Sequence, residues 1–419
     1  MLVTADRVFG GHLYVRNGKI AAISDDGTLP AREELDAAGL YVLPGMLDCH
    51  AHINDPGFTW REDLPHASEA AAVGGVTTLI DMPLQNTPPL TSADAFANKL
   101  AVFEGRSLVD YALWGGLVTG NTAELAGMDA AGAVGFKAFI APVSLGYSSV
   151  DMGLAREALF RIKAFGGLAG FHCEDHALIC AGEAKAKAGG GTRRAFLDSR
   201  PVVAEVIATA NVIELARETG ARVHICHVSH PRVAELVRRA QADGLSVTGE
   251  TCPHYLVFTE ENLLSCGTVF KCAPPLRTAE ARDGLWEYVL DGTLSCIGSD
   301  HSPSRPDEKD EAVHGVMGAW GGLSGLQSLV QVMFDQAVTR RGCSPSLLAR
   351  FASSAARVFG LDGRKGALGV GLDADAVLID PGRLGRSPLI PCGISIRSRP
   401  SKGLRASGSP SARSCGAGW

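Results

Sequence analysis

Long apolar runs and a basic charge excess are missing from this sequence, and no signal peptide is expected. No run approaches the ~18 consecutive apolar residues of a membrane-spanning helix, and no basic segment followed by an apolar stretch opens the chain. The formal net charge of −6 and the pI near 6.1 leave no basic footprint for a nucleic acid. We therefore expect a cytoplasmic protein that engages neither a membrane nor a nucleic acid.

A disulfide framework and two common catalytic motifs are missing as well. The 11 cysteines are an odd number without framework spacing, and several fall in predicted buried strands, where a thiol acts as a small apolar side chain. This usage is typical of a reduced compartment. No Gly-rich phosphate loop follows an early strand, and no Gly-x-Ser-x-Gly turn is present, which argues against a serine hydrolase.

What the sequence does contain is a long alternation of helical and strand-like segments. Its 419 residues, 46% of them hydrophobic, are able to bury a large core. Between residues 47 and 358, Ala-rich stretches with helical periodicity alternate with short apolar or β-branched runs, an order typical of a parallel α/β architecture. Residues 1–46 instead form short predicted strands and turns, with a hairpin signal at Asn17-Gly18. One barrel with a smaller accessory domain fits this pattern better than three small domains.

Ionisable residues at the ends of predicted strands carry the functional signal. His50 and His52 close an apolar run on the same face, since a strand has a side-chain period of two. The others lie in or just behind the C-terminal part of later strands: Lys137, His172, His227, His254 and Asp300. In a (β/α)8 barrel these positions meet at one mouth, where active sites form. Each residue alone has a structural explanation as a cap or core residue, but the joint pattern predicts a metal site.

The donor types indicate how this site works. Imidazole and carboxylate groups suit two divalent ions, zinc first, with cobalt, manganese and iron as alternatives. Lys137 either reaches solvent or an acid, or it reacts with CO2 to form a carbamate, an anion that bridges two metals. A metal pair supplies a bridging hydroxide near neutral pH, and Asp300 is expected to act as general base and then as general acid. Asp48, beside the histidines, is expected to orient one of their rings.

Seven segments of the sequence resemble the amidohydrolase superfamily, and specifically its cyclic amidohydrolases. They lie at 44–52, 74–78, 135–137, 172–174, 226–229, 271–277 and 299–303. The resemblance implies a (β/α)8 TIM-like metal-dependent barrel beside a small β-sandwich domain formed from the N- and C-terminal segments. Matched by position, it implies one metal on His50, His52 and Asp300, the other on His172 and His227, and N6-carboxylated Lys137 between them.

Two departures select among the cyclic amidohydrolases. Dihydroorotases typically carry Arg two residues after the second metal histidine to hold a carboxylate, whereas this chain has Asn54, an uncharged amide suited to an uncharged ureide. Dihydropyrimidinases and hydantoinases usually have a Tyr soon after the modified lysine, whereas the first Tyr after Lys137 here is Tyr147. Both departures favour the allantoinases, so we predict hydrolysis of the cyclic amide bond of allantoin to allantoate. Asn54 and Asn86 are candidate substrate contacts, and His254 and His301 are candidate pocket residues.

The expected division of the chain is a first sandwich part at 1–46, the barrel at 47–358, a second sandwich part at 359–382 and an atypical tail at 383–419. The tail is rich in Arg, Ser, Pro and Gly and has no acidic residue. It is either a basic interaction tail or, as we prefer, the product of a shifted reading frame, because family members continue with further sandwich strands.

The resemblance also implies a homotetramer. Another cyclic amidohydrolase and a non-catalytic scaffold subunit are the alternative functions.

Overall fold

The computed structural model describes residues 1–143 and 146–382, so the predicted tail at 383–419 lies outside the described residues. The strands, in chain order, are β1 Leu2–Val3, β2 Val8–Phe9, β3 His12–Arg16, β4 Lys19–Ser24, β5 Tyr41–Pro44, β6 Met46–Ala51, β7 Val76–Asp81, β8 Asp110–Leu113, β9 Gly115–Gly116, β10 Phe136–Phe139, β11 Leu168–His172, β12 Arg222–Ile225, β13 Val247–Thr251, β14 Cys296–Ile297 and β15 Ala376–Ile379.

The α-helices are α1 Leu64–Val73, α2 Ala93–Phe103, α3 Leu125–Ala130, α4 Met152–Ala164, α5 His176–Ala188, α6 Arg193–Ser199, α7 Val202–Thr219, α8 Pro231–Ala242, α9 Pro253–Val257, α10 Glu260–Cys266, α11 Ala279–Leu290, α12 Glu311–Gly318, α13 Leu329–Phe334 and α14 Ser346–Val358. Several begin with a side-chain cap, such as Asp151 before α4, whose carboxylate accepts the N–H of Leu154. Among the described residues, no helix combines the length and apolar character that a membrane crossing requires.

Parallel strands form a closed barrel in the middle of the chain. β6, β7 and β8 make one sheet and β9 to β14 another, and all neighbours within them are parallel. Counting β8 and β9 as one interrupted strand, β6 to β14 supply eight barrel positions. The barrel closes where the His52 N–H donates to the carbonyl of His301 at 2.7 Å, and His301 also bridges to Ala51 in parallel. The predicted TIM-type barrel is confirmed.

The interrupted strand is the one barrel position that the sequence pattern did not predict. Trp114 separates β8 from β9, and its indole N–H donates to the carbonyl of Cys49 at 3.2 Å. A Cβ atom at Gly135 or Gly170 would lie 2.6 or 2.7 Å from the Trp114 ring. The large side chain is therefore accommodated inside the barrel by glycines on β11 and just before β10, an arrangement that gives no local strand pattern.

A small domain is built from both the N- and C-terminal segments. In its sheet, β5 pairs in parallel with β1 and antiparallel with β15, and β2 forms the other edge. The predicted hairpin is β3 and β4, with Asn17 and Gly18 at φ 54° and 74°. A separate small core joins the sheet and the hairpin through Leu2, Ile20, Val42 and Leu368. The exact domain boundaries stay a prediction.

A buried lysine links this small domain to the barrel. Lys365 Nζ pairs with Asp110 at the start of β8. It also lies 2.9 Å from Asp373 and 2.7 Å from Asp375, just before β15. Its side chain is only 6% exposed. These carboxylates raise the pKa of Lys365 although burial alone lowers it, so the ammonium stays charged at the junction.

Candidate metal centre

The predicted ligands meet at the C-terminal end of the barrel strands. His50 is the fifth residue of β6, Lys137 lies within β10, and His172 ends β11. The remaining predicted ligands lie one to three residues beyond the ends of β6, β12 and β14: His52, His227 and Asp300. Parallel strands bring these six side chains from distant parts of the sequence to one end of the barrel.

One group of donors consists of His50, His52 and Asp300. The Nε2 atoms of His50 and His52 lie 3.3 and 3.2 Å from the same Oδ1 of Asp300. Two ligand atoms on a tetrahedral zinc ion, each about 2.0–2.1 Å from the metal, are separated by about 3.4 Å. The three side chains therefore have the spacing of ligands of a single ion.

The second group is formed by His172 and His227. Nδ1 of His172 lies 3.1 Å from Nε2 of His227, again close to the separation expected for two ligands of one metal. The centroid of the His227 ring lies 4.7 Å from the His172 ring and 5.2 Å from the His50 ring. The second group is thus directly beside the first, as a binuclear arrangement requires.

Lys137 is a fully buried amine next to both groups. Its Nζ makes no hydrogen bond within the described part of the chain, and a buried ammonium without a partner is unfavourable. Burial, together with the charge of Lys137, lowers the pKa of His50, His172 and His227. These three rings are therefore neutral near pH 7 and have lone pairs for a metal.

The Asp300 carboxylate is ionised despite its burial. Burial alone raises the pKa of Asp300, but the neighbouring His50 and His52 outweigh that effect and hold the pKa well below its usual range. The residue has a positive φ of 45°, and its side chain is 13% exposed. An ionised carboxylate in this position is able to bind a metal and to accept a proton.

Two carboxylates that the sequence pattern did not single out orient the histidines. Glu250, on β13, accepts from Nδ1 of His50, and Glu174 accepts from Nε2 of His172 at 2.7 Å. Arg200 donates to Glu174 at 2.5 Å. Burial raises the pKa of Glu174, but Arg200 and His172 overcome this and lower it to about 2. Both carboxylates lie at or just beyond the C-terminal end of a barrel strand. The strand-end position that indicated the candidate ligands would therefore have indicated these two residues as well.

Asp48 does not orient an imidazole, and this expectation was wrong. Its Oδ1 accepts the backbone N–H of His50 at 3.1 Å and of Ser299 at 2.9 Å. It precedes His50 by two residues on the same strand, so it lies one layer further from the barrel mouth. Burial raises the pKa of Asp48 to about 6. The residue ties β6 to the chain leaving β14 instead of holding a ring.

The two candidate substrate contacts differ in how their amides are engaged. Asn54 is 0% exposed, and neither its Nδ2 nor its Oδ1 has a hydrogen-bond partner among the described residues. Asn86 donates to the carbonyls of Met82 at 3.3 Å and Leu84 at 3.0 Å and accepts from Lys99. Asn54 therefore has unused donor and acceptor atoms, whereas Asn86 is bonded within the chain.

The remaining predicted pocket residues are buried histidines with one unused ring nitrogen each. His254 Nε2 has no hydrogen-bond partner within residues 1–143 and 146–382, and burial lowers the pKa of His254 to about 4. One nitrogen of His254 lies within 4.8 Å of the Asp300 carboxylate. His301 pairs through Nε2 with Glu62 at 2.7 Å and leaves Nδ1 free among the described residues.

Tyr147, the first Tyr after Lys137, donates to the Lys137 carbonyl at 2.6 Å.

Comparison with known proteins agrees with this geometry. A model of the amidohydrolase family matches residues 41–402. The allantoinase of Escherichia coli (strain K12 / DH10B) is 40% identical over 377 residues, which cover 88% of this chain and 82% of that protein.

Solved structures are similar over most of their length. The L-hydantoinase (dihydropyrimidinase) from Arthrobacter aurescens superposes with a TM-score of 0.86 at 37% identity, covering 89% of this chain and 84% of that chain. The dihydropyrimidinase from Brevibacillus agri NCHU1002 gives 0.84 at 28% identity, with 91% and 84% covered. The barrel, the small sheet domain and the extent of these matches together establish that the chain belongs to the amidohydrolase family, as a hydrolase acting on cyclic amides.

Proposed function

We propose that this chain hydrolyses the cyclic amide bond of allantoin to allantoate with two divalent metal ions. The observation that supports this best is the spacing of the two donor groups, 3.1 to 3.3 Å between neighbouring ligand atoms. His50, His52 and Asp300 bind one ion in this proposal, and His172 and His227 bind the other. Zinc suits these donors, and cobalt, manganese and iron also accept them.

Lys137 supplies the bridge between the ions in this proposal. Its free, fully buried amine lies beside both donor groups, where reaction with CO2 replaces a cation by a carbamate anion with two oxygen donors. An anion there is favoured by two nearby metal charges, whereas an ammonium is repelled by them. Intact-mass measurement of gently ionised protein, or 13C NMR after exposure to labelled bicarbonate, is expected to show the carbamate.

Asp300 moves the proton in the proposed reaction. The metal pair, when bound, supplies water of lowered pKa and polarises the amide carbonyl. The Asp300 carboxylate accepts a proton from the attacking water and delivers it to the ring nitrogen as the C–N bond breaks.

Asn54 is proposed to recognise the uncharged ureide. Its amide offers one donor group and one acceptor, neither of them used within the chain, and an uncharged substrate amide presents the complementary pair. The similarity to the E. coli allantoinase supports the same substrate. Asn86 is proposed to contribute indirectly, because its amide is bonded to the chain and to Lys99.

A hydantoin or dihydropyrimidine ring is the second candidate substrate. The L-hydantoinase (dihydropyrimidinase) from Arthrobacter aurescens matches the fold with a TM-score of 0.86, and its identity of 37% is near that of the allantoinase. Dihydroorotate is less suitable, because Asn54 provides no positive charge for a carboxylate. A scaffold without activity has no need of the complete donor set.

A substrate panel tests the proposal. Purified protein loaded with zinc, or with cobalt, is assayed on allantoin, hydantoin, dihydrouracil and dihydroorotate, with Asp300→Asn as the inactive control. Allantoin is expected to give the highest kcat/KM, and removal of metal with a chelator is expected to abolish turnover until metal is restored. Rapid turnover of another ring without turnover of allantoin would refute the proposed substrate.

A further inference from the structure

Glu250 is a fully buried carboxylate that contacts both donor groups of the candidate metal centre. One of its oxygens, Oε1, accepts from Nδ1 of His50 and from the backbone N–H of His227 at 3.2 Å. The other oxygen, Oε2, accepts from the thiol of Cys49 at 2.8 Å and lies 3.3 Å from Nε2 of His224. A single carboxylate oxygen therefore holds one residue from each group.

The surroundings of Glu250 leave it little freedom. A Cβ atom at Gly298 would lie 2.7 Å from Cβ of His50 and 3.2 Å from Oε2 of Glu250. His227 has a φ of 39°, a backbone conformation that L side chains rarely adopt. The hydrogen bond from its N–H to Glu250 helps to fix that conformation. The position of the His227 ring thus depends on where Glu250 lies.

Resting on the metal pair of the proposed function, we infer that Glu250 is a positioning residue that couples the two metal subsites. An ion bound by His50, His52 and Asp300 fixes the His50 ring. The fixed ring holds Glu250 Oε1, which in turn holds the backbone of His227. The second subsite is then already ordered, because the His227 backbone has been fixed before the second ion binds. The first ion therefore raises the affinity of the protein for the second ion.

Glu174 provides a matched comparison. It accepts from His172, a ligand of the second ion only, and from Arg200, both through the same oxygen, Oε2. Like Glu250 it is 0% exposed. Loss of the Glu174 charge should therefore weaken one subsite, whereas loss of the Glu250 charge should affect both. The two substitutions separate coupling from a general effect of removing a buried carboxylate.

Cobalt binding tests this inference. Metal-free wild type, Glu250→Gln and Glu174→Gln are equilibrated across a range of buffered free Co2+, and bound metal is followed by visible absorption and elemental analysis. The wild type is expected to bind two ions in one cooperative step. Glu250→Gln is expected to bind them in two separate steps, both about 10- to 100-fold weaker. Glu174→Gln is expected to weaken one ion by a similar factor and to leave the other unchanged.

Each other result has a definite meaning. Wild-type cooperativity retained in Glu250→Gln, or the same two-step behaviour in both variants, overturns the coupling. Two independent steps in the wild type also overturn it, while the proposed hydrolysis, measured by allantoin turnover, still stands. Fewer than two ions in the wild type overturns the coupling and the binuclear proposal together. If thermal unfolding shows that metal-free Glu250→Gln is not folded, Glu250→Asp replaces it. This variant keeps the negative charge, but its side chain is too short to contact both His50 and the His227 backbone, so two separate and weaker binding steps are again expected.

Discussion

At the scale of single residues, the proposed role of Asn54 sets stability against substrate binding. Its two polar side-chain atoms are buried without partners, and each such atom costs about 1–3 kcal/mol of stability. A bound amide that pairs with both atoms recovers this cost, and the recovered free energy becomes binding energy. The same burial that penalises the folded protein therefore favours the complex with an uncharged ring.

Replacing Asn54 with Ala is expected to lower kcat/KM for allantoin by roughly tenfold, the loss of about one hydrogen bond. The melting temperature should stay the same or rise, because two unpaired buried atoms are removed. Steady-state kinetics and thermal unfolding measure both effects. Asn86→Ala is the control with the opposite pattern: it should lower the melting temperature, because Lys99 loses an acceptor. Unchanged kinetics in Asn54→Ala would remove Asn54 from the substrate site.

At the scale of elements, the segment that follows the last barrel strand is held by two lysines, Lys271, which is buried, and Lys309, which is partly buried. Lys309 Nζ donates to the carbonyls of Thr268 at 3.2 Å and Val269 at 3.4 Å. Lys271 Nζ donates to the carbonyls of Met317 at 2.9 Å and Ala319 at 2.6 Å. Burial lowers the pKa of both lysines to about 8. Helix α12 is thus anchored at both ends by amines whose charge depends on mildly basic pH.

The burial of these amines, which disfavours their charged form, predicts a stability that increases with pH. Between about pH 8 and 10.5, Lys309 has lost its proton in the folded chain but keeps it in the unfolded chain, so the free energy of unfolding rises. Urea unfolding of metal-free protein should show a gain on the order of 2 kcal/mol from this group. Lys309→Met should remove that gain, while the same change at the exposed Lys187 should not. Parallel pH profiles for wild type and Lys309→Met would contradict the prediction.

Local sequence pattern predicted most of the barrel strands and brought the candidate ligands together, but it did not identify the carboxylates that orient the histidines. A strand period of two is enough to put His50 and His52 on one face, and strand ends are enough to bring Lys137 and Asp300 to one mouth. The carboxylate that holds the His50 ring is Glu250, 200 residues away. Asp48, close in sequence, was the wrong choice, because its position on the strand directs it to backbone N–H groups.

At the scale of the whole molecule, the junction of barrel and small domain depends on one ammonium. Lys365 neutralises carboxylates from both parts. One of these is Asp373. Burial raises the pKa of Asp373, but the hydrogen bonds from Lys19 and Lys365 have the larger effect and bring the pKa down to about 2. Removing the cation leaves like charges facing one another. The junction should therefore be more sensitive to loss of this cation than to loss of any exposed ion pair.

Lys365→Met is expected to lower the free energy of unfolding by roughly 3 kcal/mol, because it leaves Asp110 and Asp375 without a counter-charge, while Asp373 keeps Lys19 and Arg364. Arg364→Met is the control. Its side chain is 42% exposed and pairs with Asp373 alone, so its loss should cost about 1 kcal/mol or less. Chemical denaturation of the metal-loaded proteins measures both. Equal, small losses in the two variants would show that the junction is held by packing instead.

Assembly belongs to the same scale, and we propose a homotetramer. Apolar side chains stand exposed at Val15, Leu35 and Val370, by 55%, 78% and 66%, and offer surface for contacts between subunits. Light scattering after gel filtration is expected to give four times the chain mass of 43.8 kDa. A mass equal to one chain at micromolar concentration would contradict this.

The pairing of β5 with β15 has a consequence for the order of events during protein synthesis. β5 is able to pair with β1 once both strands have left the ribosome. Its other edge pairs with β15, where Val42 lies opposite Leu378. At translation rates of about 5–20 residues per second, β15 is synthesised roughly 20 to 70 s after β5, and that edge of β5 stays unpaired during this time. An open strand edge on a growing chain is prone to wrong pairing with other chains. Yield in the cell should therefore depend on translation speed and chaperone supply as well as on the stability of the finished fold.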